Sequence, residues 1–292
     1  MLIRKYSDYV RWPIVMDVEQ SDWVDTGEKD EKGEPKMEMV TKTEEQTINS
    51  MVPIWQRSRK EATDEECIAF YKDKFHDKDD PLAVIRVNAE GLISYRALLF
   101  IPAKAPANMF TRESDPGLEL YSSGVMIMDK CTDLLPPCYA FARGVVDSPD
   151  LSLNISREML QHDRQLKLIA ANLGKKIKSE LTKLMTNDRE KYEQFHAAFG
   201  MMLRAGAVTE TGDKVDEIKD LLLYHTSETK LVSLKEYVDA MPAEQAKIYF
   251  ACGDNVKRLL SLPQAEQLRD KGFDVLCMTS QIDEYFVDTM KS

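Results

Sequence analysis

The apolar residues of this chain change their period along the sequence, and that change constrains the fold more than any other feature. Residues 91–102, GLISYRALLFIP, alternate apolar and other side chains, which is typical of a β-strand. From about residue 157 to 185 the apolar residues recur at steps of three and four, which predicts a long amphipathic helix. A chain with both periods is expected to form an α/β layer structure. The strand face consists of Ile93, Tyr95, Ala97, Leu99 and Ile101, and the helix face of Leu166, Ile169, Leu173, Ile177, Leu181 and Leu184.

Two more elements are predicted in the first half. Thr63 and Glu66 have the spacing of a capping box, so a helix should begin at Thr63. Its apolar residues would be Ile68, Phe70, Tyr71 and Phe75. Tyr121–Asp129, with the sequence YSSGVMIMD, is expected to form another strand.

The first 49 residues are less apolar than the rest. Leu2–Val18 is predicted to be a short, strand-like piece. Asp25–Glu45 combines low hydrophobicity with mixed charge, two glycines and a proline, so a flexible linker or long loop is expected. A solvated hairpin is the alternative for this segment, and the sequence does not separate the two.

A second helix is predicted directly after the long one, with one apolar face formed by Tyr192, Phe195, Phe199 and Met202. Two helices without an intervening strand indicate a small helical connector.

The end of the chain then follows a strand–helix–strand order, with buried strands KIYFAC (247–252) and FDVLCM (273–278) around a helix at Asn255–Lys271. This order predicts a right-handed βαβ unit with parallel strands. Its first turn contains only Gly253 of the glycines that a dinucleotide site requires, so no nucleotide is expected there.

Composition excludes several classes of function. The formal charge of −11 argues against nucleic-acid binding, which needs clustered Lys and Arg. No apolar run approaches the roughly 20 residues that span a bilayer, and the N-terminus lacks the apolar stretch of a signal peptide. The five cysteines include no C-x-x-C pair, so reduced thiols in a cytoplasmic protein are expected, and Cys131 and Cys138 lack the spacing of a zinc site.

The chain carries no motif of a self-sufficient enzyme. It lacks a phosphate-binding G-x-x-x-x-G-K-[ST] loop, an H-E-x-x-H pair and a G-x-S-x-G nucleophile elbow. The four histidines are scattered without metal-ligand spacing, and His196, next to Phe195 in the second helix, is expected to have a structural role. No metal site is predicted.

Residues 144–161, GVVDSPDLSLNISREMLQ, differ from the rest. Asp147–Asp150 is predicted to be a turn, after which Leu151, Leu153 and Ile155 enter the core. Ser156 can cap the long helix, which places Arg157 in its first turn, where the helix dipole disfavours a cation. Either an anion binds there, or Arg157 simply pairs with Glu158, Asp147 or Asp150, and local chemistry leaves both possibilities open.

The chain resembles the middle domain of the heat-shock-protein-90 chaperone family in its bacterial form. NISREMLQ (154–161), preceded by GVVDS, is similar to the catalytic loop of that domain. The other matching blocks follow in order: PIWQR (53–57), TDEE (63–66), FIP and AP (100–106), VMIMD (125–129), LLPPCYAFARGVVDS (134–148), YVDAMP (237–242), QAKIYFACGD (245–254) and IDEYFV (282–287). They extend from about residue 50 to 290, and the stretch from MDVEQ (16–20) to TEE (43–45) resembles the family's acidic linker.

The resemblance implies a mechanism. ATP binds in an N-terminal domain that folds onto the middle domain, and an arginine of the NISRE loop reaches the γ-phosphate. By match this arginine is Arg157, with Asn154 and Gln161 shaping the loop. A guanidinium is always charged and binds phosphate oxygens in a bidentate fork, which suits the charge that develops in phosphoryl transfer.

The resemblance also implies what lies outside this chain. The ATP-binding domain and the dimerisation domain would be separate parts of a longer, homodimeric chaperone that uses ATP and Mg. This piece should therefore bind no cofactor and turn over no ATP by itself. Its partners would be those two domains, client proteins and possible co-chaperones. Tyr121–Gly124 and Lys78 depart from the family pattern, which affects the expected details of interdomain docking and client contact.

Three parts are expected after a terminal strand and acidic linker at 1–49: a larger α/β sandwich at 50–165, a helical connector at 166–225 and a smaller α/β unit at 226–292. Candidate client-contact residues are Trp55, Met109, Phe110, Met201 and Met202, because methionines and aromatic side chains suit adaptable surfaces.

Two functions other than that of a chaperone segment are possible for such a chain. A transducer domain of a MutL-type or gyrase-type ATPase would use a lysine and act on DNA, and a non-catalytic binding scaffold would not need Arg157.

Overall fold

A computed structural model describes residues 2–29, 35–106, 116–151, 164–209 and 215–291. Within these ranges the strands form a two-stranded hairpin, a five-stranded sheet and a four-stranded sheet. The strands are β1 Val15–Lys29, β2 Pro35–Thr47, β3 Ala83–Ala89, β4 Tyr95–Ile101, β5 Leu118–Ser122, β6 Val125–Cys131, β7 Arg143–Asp147, β8 Leu223–His225, β9 Leu231–Ser233, β10 Phe250–Cys252 and β11 Leu276–Met278. The helices are α1 Leu2–Tyr6, α2 Asp64–Phe75, α3 Arg164–Asn187, α4 Arg189–Thr209, α5 Val215–Ile218, α6 Leu234–Asp239, α7 Val256–Leu260, α8 Pro263–Asp270 and α9 Asp283–Lys291.

The five-stranded sheet has the order β3-β4-β7-β5-β6, and both faces of β4 are buried. The predicted alternating face lies in the main core. Leu98 and Phe100, on the opposite face, belong to a second core beneath α2. The predicted strand is therefore confirmed, and its second apolar face explains why helices cover the sheet on both sides.

Helix α2 begins where the capping box predicts. The Thr63 hydroxyl accepts a hydrogen bond from the Glu66 amide at 3.2 Å, and the Glu66 carboxylate accepts one from the Thr63 amide at 2.8 Å. These reciprocal bonds satisfy amide donors that a helix start otherwise leaves unpaired. The helix buries Cys67 and Tyr71 against the second core.

The prediction of a single strand at Tyr121–Asp129 is wrong, because this segment contains the turn of a β-hairpin. Strand β5 ends at Ser122 and β6 begins at Val125. Ser123 and Gly124, between them, have φ values of 51° and 83°. Two consecutive residues of positive φ form the tight connection that matches the twist of paired strands.

The N-terminal segment also differs from its prediction. Leu2–Tyr6 is helical, and the strand begins only at Val15. Strands β1 and β2 pair antiparallel, from Val15 opposite Thr47 to Asp25 opposite Met37. The described part of the segment therefore adopts the hairpin, the second of the two structures expected for it, and residues 30–34 lie outside the described residues.

Helices α3 and α4 are the two consecutive helices that the sequence predicts, and their role as a connector between two α/β units remains a prediction. The apolar residues predicted for the first helix are buried from Leu166 to Leu181, and those predicted for the second are buried at Tyr192, Phe195 and Phe199. The predicted start of the first helix, before Arg164, lies outside the described residues.

The closing βαβ unit is present, with two corrections. Strands β10 and β11 pair in parallel, as predicted. The predicted helix between them is two helices, α7 and α8, because Pro263 begins α8 and the residue before a proline is pushed into an extended conformation. Strand β11 is buried, but β10 lies at the sheet edge and Phe250 is 40% exposed.

Candidate functional site

The three residues predicted to act on ATP, Asn154, Arg157 and Gln161, belong to residues 152–163, outside the described residues. The strand and turn that lead to this segment are described. Strand β7 ends at Asp147, and the turn continues to Leu151. These five residues define the candidate site.

Asp147 is a buried carboxylate that joins two distant parts of the chain. It is only 3% exposed. Its Oδ2 accepts hydrogen bonds from Trp55 Nε1 at 3.1 Å and from Gln56 Nε2 at 2.8 Å. Its Oδ1 has no partner among the described residues. Because a buried charge is unfavourable unless it is hydrogen-bonded, the two donors define where the end of β7 can lie.

The turn after Asp147 is held by three further hydrogen bonds. Ser148 Oγ donates to the Ser94 carbonyl at 2.7 Å, and the Ser94 amide donates to Asp150 Oδ2 at 2.6 Å. Ser122 Oγ donates to the Leu151 carbonyl at 2.6 Å. The predicted turn therefore exists, with Leu151 buried as expected. It is anchored to the segment before β4 and to the end of β5.

Trp55 lies in an aromatic cluster. Its ring centroid is 4.6 Å from that of Tyr9, 5.1 Å from that of Tyr121 and 6.0 Å from that of Phe70. Burial, followed by nearby carboxylates, raises the pKa of Tyr9 and of Tyr121, so both phenols remain neutral. The indole is thus packed on several sides while its N–H points to Asp147.

The N-terminal segment is fastened beside this cluster by Asn49. The Asn49 side chain donates to the carbonyls of Val10 and Trp12, at 3.0 and 2.9 Å, and accepts from the Ile14 amide at 2.7 Å. Asn49 is buried, so its amide satisfies backbone groups that water cannot reach. This junction keeps Tyr9 against Trp55.

A cavity of about 810 Å³ adjoins Asp147 and Gln56. Arg11 and Arg96 also line it. Arg96 Nη1 donates to the Gln56 carbonyl at 2.6 Å, so Gln56 is held from both its backbone and its side chain. Tyr95 is buried at the edge of the cavity, and burial raises its pKa to about 12.

Three of the five candidate client-contact residues are described, and Trp55 belongs to a different core from the one that Met202 packs against. Trp55 is 6% exposed, Met202 is half-buried and Met201 is 52% exposed. Met109 and Phe110 lie outside the described residues. A role for these residues in client contact remains a prediction.

His196 has the features of a structural histidine. Its Nε2 accepts a hydrogen bond from the Leu223 amide at 3.0 Å. Burial, followed by the charges of Arg204 and Arg189, lowers its pKa to about 3, so the ring is neutral. It joins α4 to the start of β8.

Within the described ranges, no group of three or more His, Cys, Asp or Glu side chains could hold a metal ion. None of the five cysteines, all of which are described, forms a disulfide. None of the described helices has the length and apolar character needed to cross a bilayer.

The fold identifies the class of this chain. It matches the middle domain of a heat shock protein of Plasmodium falciparum, with a TM-score of 0.72 and 30% sequence identity, over 82% of this chain and 95% of that one. The chain therefore has the fold of a heat-shock-protein middle domain. A family model described as "Hsp90 protein" matches residues 16–292, and the chain belongs to the Hsp90 family. The resemblance read from the sequence blocks is thus confirmed.

Two bacterial relatives are similar over nearly the whole chain. Both are named chaperone protein HtpG. That of Oceanobacillus iheyensis is 51% identical over 287 residues, and that of Bacillus subtilis is 50% identical over 293 residues. The chain spans 45% of the length of each relative.

Sequence reasoning missed the hydrogen bonds that join two residues at this site. Asp147 was expected as part of a turn and as a possible partner of Arg157, and Gln56 only as part of a matching block. A usable signal was present, since Asp147 is an acidic residue directly after the apolar pair Val145 and Val146. An acid that continues a buried strand must find donors elsewhere in the fold.

Proposed function

We propose that this chain is the segment of an ATP-dependent chaperone that presents Arg157 to the γ-phosphate of ATP bound by another domain. The proposal is supported by membership of the Hsp90 family and by the two relatives named as chaperones. The single observation in the fold that carries it is the anchored strand end from Asp147 to Leu151, directly before the segment that contains Arg157.

The chemistry of the proposal requires a cation where negative charge develops. A guanidinium can bind two phosphate oxygens at once and does not lose its proton. Placed against a transferring phosphoryl group, it stabilises the transition state more than the ground state. Asn154 and Gln161 would shape the segment that carries Arg157.

The other domains of the chaperone are proposed to lie elsewhere in a longer protein, because this chain spans 45% of the length of its relatives. An N-terminal domain would bind ATP with Mg, and a C-terminal domain would form a homodimer. This chain alone would then hydrolyse no ATP, and its partners would be those domains, client proteins and co-chaperones. A cytoplasmic location is part of the same proposal.

The test is steady-state ATP turnover by the full-length protein with Arg157→Ala. A charge-assisted hydrogen bond contributes about 1.5–3 kcal/mol, so kcat should fall by about ten- to a hundredfold. The affinity for ATP should change little, since the bond forms mainly in the transition state.

Arg157→Lys is the matched variant, because it retains the charge and loses the bidentate fork. It should restore only part of the lost turnover. Unchanged turnover in Arg157→Ala would contradict the proposal and favour a non-catalytic scaffold, in which Arg157 only forms a salt bridge.

A further inference from the structure

We infer that Asp147 is a positioning residue for ATP turnover, acting through its hydrogen bonds to Trp55 and Gln56. The bonds fix the end of β7, and with it the point from which the chain continues toward Arg157. This inference rests on the proposed role of Arg157 and gives Asp147, Trp55 and Gln56 an effect on ATP turnover through the position of the strand end.

The first step is the unusual placement of the carboxylate. Asp147 lies at the end of a strand whose preceding residues, Val145 and Val146, are fully buried. An ionisable group in such a place is unfavourable for folding unless donors are supplied. Both donors come from one short turn, Ile54–Gln56, about 90 residues earlier in the sequence. Asp147 therefore joins two of the family-like blocks, PIWQR and GVVDS.

The second step is the rigidity of the donors. The Trp55 ring is packed among Tyr9, Phe70 and Tyr121. The Gln56 carbonyl accepts from Arg96 on β4. A carboxylate bound to two immobilised donors is itself held in one place, because any shift of β7 would lengthen both bonds.

The third step is the short path from this anchor to Arg157. Leu151, whose carbonyl is bound by Ser122, precedes Arg157 by six residues. Displacements of about 1 Å can reduce turnover by about a hundredfold when a reacting geometry depends on them. The position of the strand end is therefore expected to matter for turnover, even though Asp147 touches no substrate.

The experiment measures kcat and KM for ATP in the full-length protein with Asp147→Ala, Asp147→Asn and Trp55→Phe. Asp147→Ala removes the oxygen that accepts both hydrogen bonds and should lower kcat by about tenfold or more, with KM little changed. Asp147→Asn retains one side-chain oxygen that can accept from both donors, so it should restore most of the turnover. Trp55→Phe removes only the indole donor and should give an intermediate kcat.

A double variant separates positioning from general loss of stability. In Arg157→Ala, the addition of Asp147→Ala should cause no further fall in kcat, because the position of an absent arginine cannot matter. Tyr237→Phe is the control for lost stability. It removes a buried hydroxyl that donates to the Asp274 carbonyl and accepts from Gln245, far along the chain in the smaller α/β unit. It should lower the unfolding temperature and leave kcat unchanged.

The outcomes distinguish this inference from the proposed function. If Arg157→Ala leaves turnover unchanged, the proposed function fails. If Arg157→Ala lowers turnover but Trp55→Phe and both Asp147 variants do not, only the positioning role is overturned. Additive losses in the double variant would also overturn it. If Asp147→Ala does not fold, the other two variants still test the positioning role. That role requires near-normal kcat in Asp147→Asn and reduced kcat in Trp55→Phe.

Discussion

Single buried polar side chains connect parts of this chain that are distant in sequence. Asp147 does so between β7 and the Trp55 turn, and His196 does so between α4 and β8. In each case the side chain accepts a hydrogen bond that water cannot replace, so its loss leaves a buried donor without a partner. Such residues are therefore sensitive to mutation, and His196 is sensitive to protonation as well.

His196 should make the stability of the chain depend on pH. Its pKa is about 3 in the folded state and 6.5 in the reference state, so the unfolded chain binds more protons between these values. The stability that the neutral ring contributes is therefore present above pH 6.5 and is lost as the pH falls toward 3. Between pH 7 and pH 5 this single group should reduce the free energy of unfolding by about 2 kcal/mol.

The measurement is urea denaturation at pH 7 and pH 5 for the wild type and for His196→Gln. Glutamine can still accept from the Leu223 amide but does not titrate in this range. The wild type should lose more stability than the variant, by about 2 kcal/mol. Equal losses would show that His196 is not a buried neutral group.

At the scale of elements, a buried ion pair joins the second of the two long helices, α4, to the last helix, α9. Arg204 Nε of α4 lies 2.6 Å from Asp283 Oδ1 of α9, although the orientation of the two atoms departs from hydrogen-bond geometry. Each partner has another bond, from Arg204 Nη2 to the Leu223 carbonyl and from the Ser280 amide to Asp283 Oδ2. The guanidinium also lies 5.2 Å from the centre of the Tyr224 ring. This cluster therefore links α9 to α4 and to the start of β8.

Asp283→Ala should destabilise the chain by about 3–5 kcal/mol, because it leaves the Arg204 charge buried without its partner. Chemical denaturation of the purified chain measures the effect. Asp239→Ala is the matched control, since Asp239 forms an exposed pair with Lys235 at 2.7 Å. It should change stability by less than about 1 kcal/mol. Similar effects of the two substitutions would contradict the view that α9 is held by a buried charge pair.

At the scale of the whole molecule, one apolar core runs through both sheets and the connector. Leu99 of β4, Leu173 of α3, Phe199 of α4 and Leu276 of β11 belong to the same cluster of buried residues. The domain boundaries expected at residues 165 and 225 therefore separate regions whose buried side chains belong to one core.

A shared core predicts a single cooperative unfolding transition for residues 50–291. In a variant with Trp12→Phe and Trp23→Phe, tryptophan fluorescence reports the region of Trp55, and far-ultraviolet circular dichroism reports mainly the long helices α3 and α4. Their denaturation midpoints should coincide, as expected when packing links the two regions. Two separate transitions would mean that the α/β units unfold independently.

Features that depend on neighbouring residues could be predicted from the sequence. The start of α2 depends on Thr63 and Glu66, which lie within one helical turn. The buried faces of β4, α3 and α4 follow from local periodicity. The family followed from ordered blocks that are distinctive without any knowledge of the fold.

Features that depend on distant residues were decided only by the tertiary structure. The bond between Trp55 and Asp147 joins positions 92 residues apart, and no local pattern indicates such a pairing. The turn at Ser123–Gly124 is set by how β5 and β6 pair, and the exposure of Phe250 by the position of β10 at the sheet edge. Period and capping are properties of a few consecutive residues, whereas the partners of a buried polar group depend on which segments the complete fold brings together.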